Sequence, residues 1–373
     1  MSGRKKNRLW SQLRMLCCAG LDVMSIAPAA FAIVHELVPN AASALFLTSH
    51  EGEQQATFHE DCPDTVQALC NSETTLFSGP GEVNSYTLLA TPGAAKIGQL
   101  LAPPKSYFSS NTYQLLVRGC GHHHTLDARL EVDGRRFGML ALFREQGLGF
   151  DAQDVEGIRR VALYFEHALR LRPTSPEALP GAVEQEALIV ANADGRLLYL
   201  TPGASSLLAE LPLAGPQWRD RSALPPACKH LIDVLRKDEQ YPERMPVCTL
   251  PMPGGRLEVS AHWLGAQGAA PALAAQAAEE SGLVAFTLKR VEPAALRIWR
   301  NLASIALSPQ QLEVAFWMAL GGGRDAVREN MHISSAVLRD CVKAIYKKLE
   351  CSSQSELMAA LQASPGQLPL GYR

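Results

Sequence analysis

No Cys-x-x-Cys pair occurs among the nine cysteines of the chain. Zinc-finger frameworks and thioredoxin-type redox motifs need that spacing, so neither is expected. Cys17, Cys18, Cys62, Cys70, Cys120, Cys228, Cys248, Cys341 and Cys351 are odd in number and scattered. That usage fits a reducing compartment, where a free thiol packs as a small hydrophobe. Long apolar runs are missing too: no uncharged stretch approaches about 18 residues, so no membrane span is expected. Arg4, Lys5, Lys6 and Arg8 look like the basic start of a signal segment, but Arg14 and Asp22 break the apolar stretch that follows. The expectation is a cytoplasmic protein. No G-x-S-x-G, G-x-x-x-x-G-K-[ST] or G-x-G-x-x-G string is present, and His35-Glu36 lacks the second histidine of a zinc protease. No enzymatic activity and no cofactor, haem and flavin included, is therefore expected. An excess of either charge is also absent: 35 basic residues face 37 acidic ones, for a net of −2. This excludes a uniformly basic polyanion coat and leaves room for a local basic element.

What is present is ordinary globular material. The chain has 373 residues, 47% hydrophobic and 19% charged, enough for two or three domains. Three prolines (Pro173, Pro176, Pro180) fall within eight residues, which predicts a linker over 172–186. Residues 265–280 are mostly Ala, Gly and Gln, and composition leaves short helix and long loop both open. Before the linker, helix-like sequence over 9–38 is followed by a strand-like run at 43–47. Alternation over 126–132 leads to Asp133-Gly134, a pair suited to a type I′ turn, and an apolar strand returns over 135–143. Asp151 then offers an N-cap to a helix with Ile158, Val161, Leu163, Phe165, Ala168 and Leu169 on its apolar face. After the linker the logic repeats, with strands at 187–191 and 196–200 around Asp194-Gly195 and a short helix over 204–211. Further strands are predicted at 245–250, 256–263 and 283–288. The fold class expected is α+β: two antiparallel-sheet domains, then an all-α domain of four helices.

The order over 126–170 resembles the end of a GAF domain, and the pattern over 188–211 resembles the opening of a PAS domain. The resemblances imply a GAF-like sensory or dimerising unit over 9–171 and a PAS-like unit over 187–290, each built around a sheet with a pocket. A small-molecule ligand follows as a partner class, its identity unspecified. Trp218, Trp263, Trp299 and Trp317 read as packing residues, and Trp263 with Phe286 could equally line a pocket.

Residues 307–361 carry the strongest pattern. Ser308-Pro309-Gln310-Gln311 offers an N-cap, a first-turn proline and a polar residue three places after the cap. A helix over 312–320 is stopped by Gly321-Gly322-Gly323, and a shorter one follows over 324–331. Ser334 caps a third, in which Leu338, Val342, Ile345 and Leu349 form one apolar stripe. Ser335, Arg339, Lys343 and Lys347 lie off that stripe. Between 336 and 349, Arg339, Lys343, Lys347 and Lys348 stand against Asp340 alone, a local excess of three positive charges. Two short helices with a tight turn and a basic outward face on the second form a helix-turn-helix. Such a helix fits the major groove of DNA, where Arg and Lys meet guanine O6 and N7 and further cations neutralise phosphates. Periodicity alone leaves a merely solvated basic face equally open.

Leu307-Ser308-Pro309, Glu313-Val314, the glycine stop, Ile333-Ser334, Ile345-Tyr346-Lys347-Lys348-Leu349 and Ser352-Ser353-Gln354-Ser355-Glu356-Leu357 resemble the LuxR-type DNA-binding domain of bacterial regulators. The resemblance places such a domain at 303–363. It implies double-stranded DNA as partner, with Arg339, Asp340 and Lys343 facing base edges and Ser334, Ser335, Lys347 and Lys348 near the backbone. It also implies a homodimer joined through a final helix over 353–361. Where that family has a small residue between the helices this chain has Arg328, and His332 replaces the glycine of the turn. Val337 and Cys341 replace a Thr and a His. Arg328, His332 and Asp340, whose carboxylate would repel phosphates, keep a second function in view, an anti-activator or sensor acting through protein contacts. A third reading is a metal sensor through Cys120, His122 and His124. Adjacent histidines on a strand alternate faces, so a polar start to the strand is favoured over a metal site there.

Overall fold

The computed structural model describes residues 3–49, 53–77, 79, 82–84, 95–171, 181–212, 218, 220–237, 245–264 and 282–363. Within them the chain is a mixed α+β protein with two antiparallel sheets and a helical C-terminal region. Its first part contains α1 (Gly3–Cys18), α2 (Val23–Leu37), β1 (Ala42–Thr48), β2 (Gln54–His59), α3 (Asp64–Ser72), β3 (His124–Val132), β4 (Arg135–Arg144) and α4 (Ala152–Arg170). Its second contains β5 (Gly181–Asn192), β6 (Leu197–Leu200), α5 (Pro202–Ala209), α6 (Pro226–Lys237), β7 (Val247–Met252), β8 (Gly255–Trp263) and β9 (Leu283–Pro293). Five helices follow: α7 (Ala294–Ala303), α8 (Pro309–Ala319), α9 (Arg324–Asn330), α10 (Ser335–Lys348) and α11 (Gln354–Gln362).

The helix-like stretch 9–38 is helical, as two helices, the first of which begins earlier, at Gly3. Gly20, at φ +71°, turns the chain after α1, and Asp22 restarts it by accepting the Met24 N–H at 2.8 Å. The first sheet has the order β2-β1-β4-β3. Its β3–β4 hairpin, at one edge, turns through Asp133 and Gly134, both at positive φ (51° and 75°), as the type I′ reading requires. Alternation sorts the strands' side chains between two faces. Leu45, Leu126, Leu130, Leu140 and Leu142 enter the core with α1, α2 and α4, whereas Ala42, Ala44, Met139, Ala141 and Phe143 cluster on the opposite face. Asp151 caps α4 in a reciprocal box with Asp154. Of the apolar face expected for this helix, Ile158, Val161, Phe165 and Ala168 are buried, whereas Leu163 is exposed because it falls off the stripe they form.

The second sheet has the order β6-β5-β9-β8-β7. Strand β5 starts at Gly181, which corrects the end of the sequence-based linker: residues 181–186 pair with 289–293 of β9. Backbone pairing with β9 continues past Leu288 to Pro293 and draws both strand ends beyond their predicted limits. Residues 172–180 and 265–281 lie outside the described residues. Helices α5 and α6 close one face of this sheet over Ile189, Leu257, Val259, Phe286 and Leu288. Phe286 is fully buried in that packing.

One apolar cluster runs from α1, α2, α4 and the first sheet through to α7–α11. The C-terminal helices thus share a core with the N-terminal ones. Helix α1 makes the join. Arg8 donates to the carbonyls of Leu307 (2.8 Å), Ala303 (2.9 Å) and Ile305 (2.7 Å), at the end of α7 and the link to α8. Ser11 and Arg14 both donate to the buried carboxylate of Glu313 on α8. Helix α2 in turn meets the second sheet, with Ser25 donating to the Gly255 carbonyl at 2.6 Å.

Candidate nucleic-acid interface

Helix α8 opens on the capping box expected from sequence: the Gln311 N–H donates to Ser308 Oγ at 3.2 Å and the Ser308 N–H to Gln311 Oε1 at 3.0 Å. Gly321, at φ +89°, ends it, and α9 lasts only seven residues. The carbonyls at the end of α9 are satisfied in turn by the N–H groups of Met331, His332 and Ile333. Ser334 then caps α10, its Oγ accepting the Val337 N–H at 3.3 Å. Leu338, Val342, Ile345 and Leu349 are buried, so the apolar stripe predicted for α10 is the stripe that packs. Glu350, at φ +45°, turns the chain away from its end.

That packing orients the rest. Ser334, Ser335, Arg339, Asp340, Lys343, Lys347 and Lys348 are all exposed. Among the described residues, none of the four cations on α10 forms an ion pair. Asp340 stands alone in their midst, and the Ser334 hydroxyl keeps its hydrogen free while its oxygen serves the cap. Val337, named in the sequence as a departure but left out of the expected DNA-facing set, is 37% exposed in the first turn and presents an aliphatic side chain beside Ser334 and Ser335. An apolar residue off the stripe, next to the cap, was the available signal. Cys341 faces inward: its thiol reaches Gln310 Oε1 at 3.9 Å on α8, and burial pushes its pKa up.

Two sequence departures find physical accounts. Arg328 is partly buried, and its guanidinium turns to Asp325 and Glu329 on its own helix. His332 adopts φ +51°, the left-handed conformation that glycine occupies without side-chain strain. His332→Gly is expected to stabilise the C-terminal helices by about 0.5–1 kcal/mol, the left-handed penalty less the entropy of a glycine. Chemical denaturation followed at the tryptophans checks this, and a loss of stability would refute it.

No protein-family model matches the chain, and no curated protein matches it. Among solved structures it is similar to the phage VqmA–DPO complex, at 17% identity over 47% of this chain and 80% of that one, with a TM-score of 0.22. It is similar to the sensor region of a sensor histidine kinase at 10% identity, over 71% and 92% of the two chains, with a TM-score of 0.18. A third similarity is to the E. coli DhaR(N)–DhaL complex, at 14% identity over 78% and 91%, with a TM-score of 0.17.

The remaining candidates separate in space. His124 opens β3 and meets the Gly147 carbonyl at 3.2 Å, while His123 pairs with the Tyr113 hydroxyl at 2.5 Å. His122 is buried and lies flat against Phe143, with ring centroids 5.0 Å apart. Burial holds the His122 pKa down, which favours the neutral imidazole. Cys120 reaches Cys62 and not the histidines. Among the described residues no three His, Cys, Asp or Glu side chains are grouped to hold a metal ion. No described helix is long and apolar enough to cross a membrane.

Proposed function

We propose that this chain is a cytoplasmic transcription regulator of the LuxR type, which binds double-stranded DNA as a homodimer through α10. The two α+β parts, GAF-like and PAS-like in this reading, serve as its sensory portion and receive a small-molecule signal. The observation that carries the proposal is the exposed outer face of α10, where Arg339, Lys343, Lys347 and Lys348 are free of ion pairs. Lysines and arginines without internal partners are available to phosphates and to guanine edges. Asp340 suits cytosine N4, and Val337 suits a thymine methyl. The body holds α8 from the side of α1, so docking α1 leaves that face open.

Selection of bound genomic fragments by the full chain, followed by footprinting, tests the reading. Recovery of a pseudo-palindrome with half-sites about 34–36 Å apart, or a multiple of this, is expected for a symmetric dimer. On that operator Lys343→Ala should weaken specific binding by about 1–3 kcal/mol and relax selectivity at one position. Failure to enrich any sequence refutes the proposal. Asp340 favours a second reading, because a carboxylate amid the cations repels phosphates. In that reading α10 contacts an acidic protein surface and the chain acts as an anti-activator.

A further inference from the structure

A second group of reactive side chains lies far along the chain from α10, where the segment between β2 and β3 leaves the first sheet and returns to it. Cys62 follows β2, and Cys120 precedes β3. Although 58 positions separate them, the Cys120 thiol donates to Cys62 Sγ across 3.9 Å. Their neighbours hold the two segments together independently of sulfur. The ring of His59, three residues before Cys62, stacks on His122, two residues after Cys120, with centroids 5.7 Å apart and planes within 14°. Both rings also stack on Phe143, at 5.1 and 5.0 Å. Cys70, on α3, lies close enough to Cys62 for their charges to interact.

Packing alone explains the His–Phe stack, but it does not explain the two sulfurs. A cysteine used as a small hydrophobe is buried, as Cys17 and Cys228 are. Cys62 and Cys120 are both partly exposed, Cys62 between exposed Asp61 and Pro63, and each has the other's thiol as its sulfur contact. We propose that Cys62 and Cys120 are a redox-active pair that closes to an intramolecular disulfide when the protein meets a peroxide.

The chemistry balances. The Cys62 thiolate attacks one peroxide oxygen, the O–O bond breaks, and the departing hydroxide takes up the proton lost from Cys62 to form water. Cys62 is then a sulfenic acid. The Cys120 sulfur attacks Cys62 Sγ, the S–O bond breaks, and hydroxide leaves with the Cys120 proton as a second water. Two thiols have lost two electrons and two protons, and hydrogen peroxide has become two waters. Disulfide formation brings the sulfurs about 1.9 Å closer, to roughly 2.05 Å, a movement on the scale of side-chain rotation. The order of attack follows from the contact. The Cys62 thiol accepts the S–H of Cys120 and is held below the usual thiol range, whereas Cys120 is pushed above it and burial takes Cys70 to about 12. The product ties the 62–120 segment at its base, beside the face of the sheet that carries Phe143.

The test uses the reduced full-length chain, treated with roughly one equivalent of hydrogen peroxide and quenched with N-ethylmaleimide. Cleavage after Asp and Glu separates Cys62 from Cys70 at Asp64, so the linked peptide identifies the partner. The wild type should lose two of its nine thiols, lose about 2 Da, stay monomeric by covalent mass and yield one Cys62–Cys120 peptide pair that dithiothreitol releases. Cys70→Ser should behave likewise, and Cys120→Ser should stop at a Cys62 sulfenic acid trapped by dimedone. A dominant Cys62–Cys70 link, prior formation of Cys228–Cys248, or nine thiols surviving about ten equivalents of peroxide would overturn the proposal. The wild-type peptide map decides the matter without any variant, so a variant that fails to fold leaves the test intact.

Discussion

Arg8→Ala is expected to destabilise the chain by about 2–4 kcal/mol, because one guanidinium satisfies three carbonyls at the end of a helix. Ala303, Ile305 and Leu307 supply those carbonyls, and the side chains of Ile305 and Leu307 are buried, so their backbone has little access to replacement water. A cation there also meets the negative end of the α7 dipole. The loss should be local at first. Hydrogen exchange at 303–308 is expected to speed up at denaturant concentrations where the second sheet stays protected, since the two belong to different cores. Arg4→Ala, on the exposed start of the same helix, serves as the control and should fall within about 0.5 kcal/mol of wild type. An Arg8→Ala protein equal to that control would remove Arg8 from the join between α1 and the C-terminal helices.

Arg8 also marks where the sequence stops being legible. Residues 3–18 read as a basic start running into helix-like sequence, and nothing local shows that Arg8 belongs with the Leu307 carbonyl, or Arg14 with Glu313, each across some 300 residues. The hairpin at Asp133-Gly134, the Asp151 cap and the box at Ser308–Gln311 were legible because a turn or cap is specified by residues within four positions of each other. The same holds for the candidate interface. The stripe of Leu338, Val342, Ile345 and Leu349 fixes which side of α10 faces inward, and the seven exposed residues follow from it. Helices α6 and α7 went unread, because their signals are amphipathic faces without a distinctive cap residue. The Cys62–Cys120 contact was illegible for the reason that Arg8 was: a 58-residue separation is closed by the sheet, not by any local rule.

A salt series on operator DNA gives the largest effect expected at α10. Each cation that displaces a counterion contributes about 0.9 to the slope of log K against log salt. Lys347 and Lys348 alone predict a slope of about −1.8 per chain, and all four α10 cations predict about −3.6. Between about 50 and 200 mM salt, affinity should fall roughly 10- to 150-fold per chain, and by the square of that factor for two chains bound together. Residues 307–361 carry six basic and six acidic side chains, so non-specific binding should be modest even at low salt. Lys347→Gln should flatten the slope by about 0.9 per chain and leave sequence preference unchanged, whereas Lys343→Ala should change preference. Asp340→Asn removes the repelling carboxylate and should raise affinity for all sequences except those with cytosine opposite it. The protein-contact reading predicts no DNA slope to flatten. Titration of labelled operator at four salt concentrations, with wild type and Lys347→Gln side by side, separates the two readings: parallel lines for the pair would remove Lys347 from the interface, and flat lines for both would remove the interface itself.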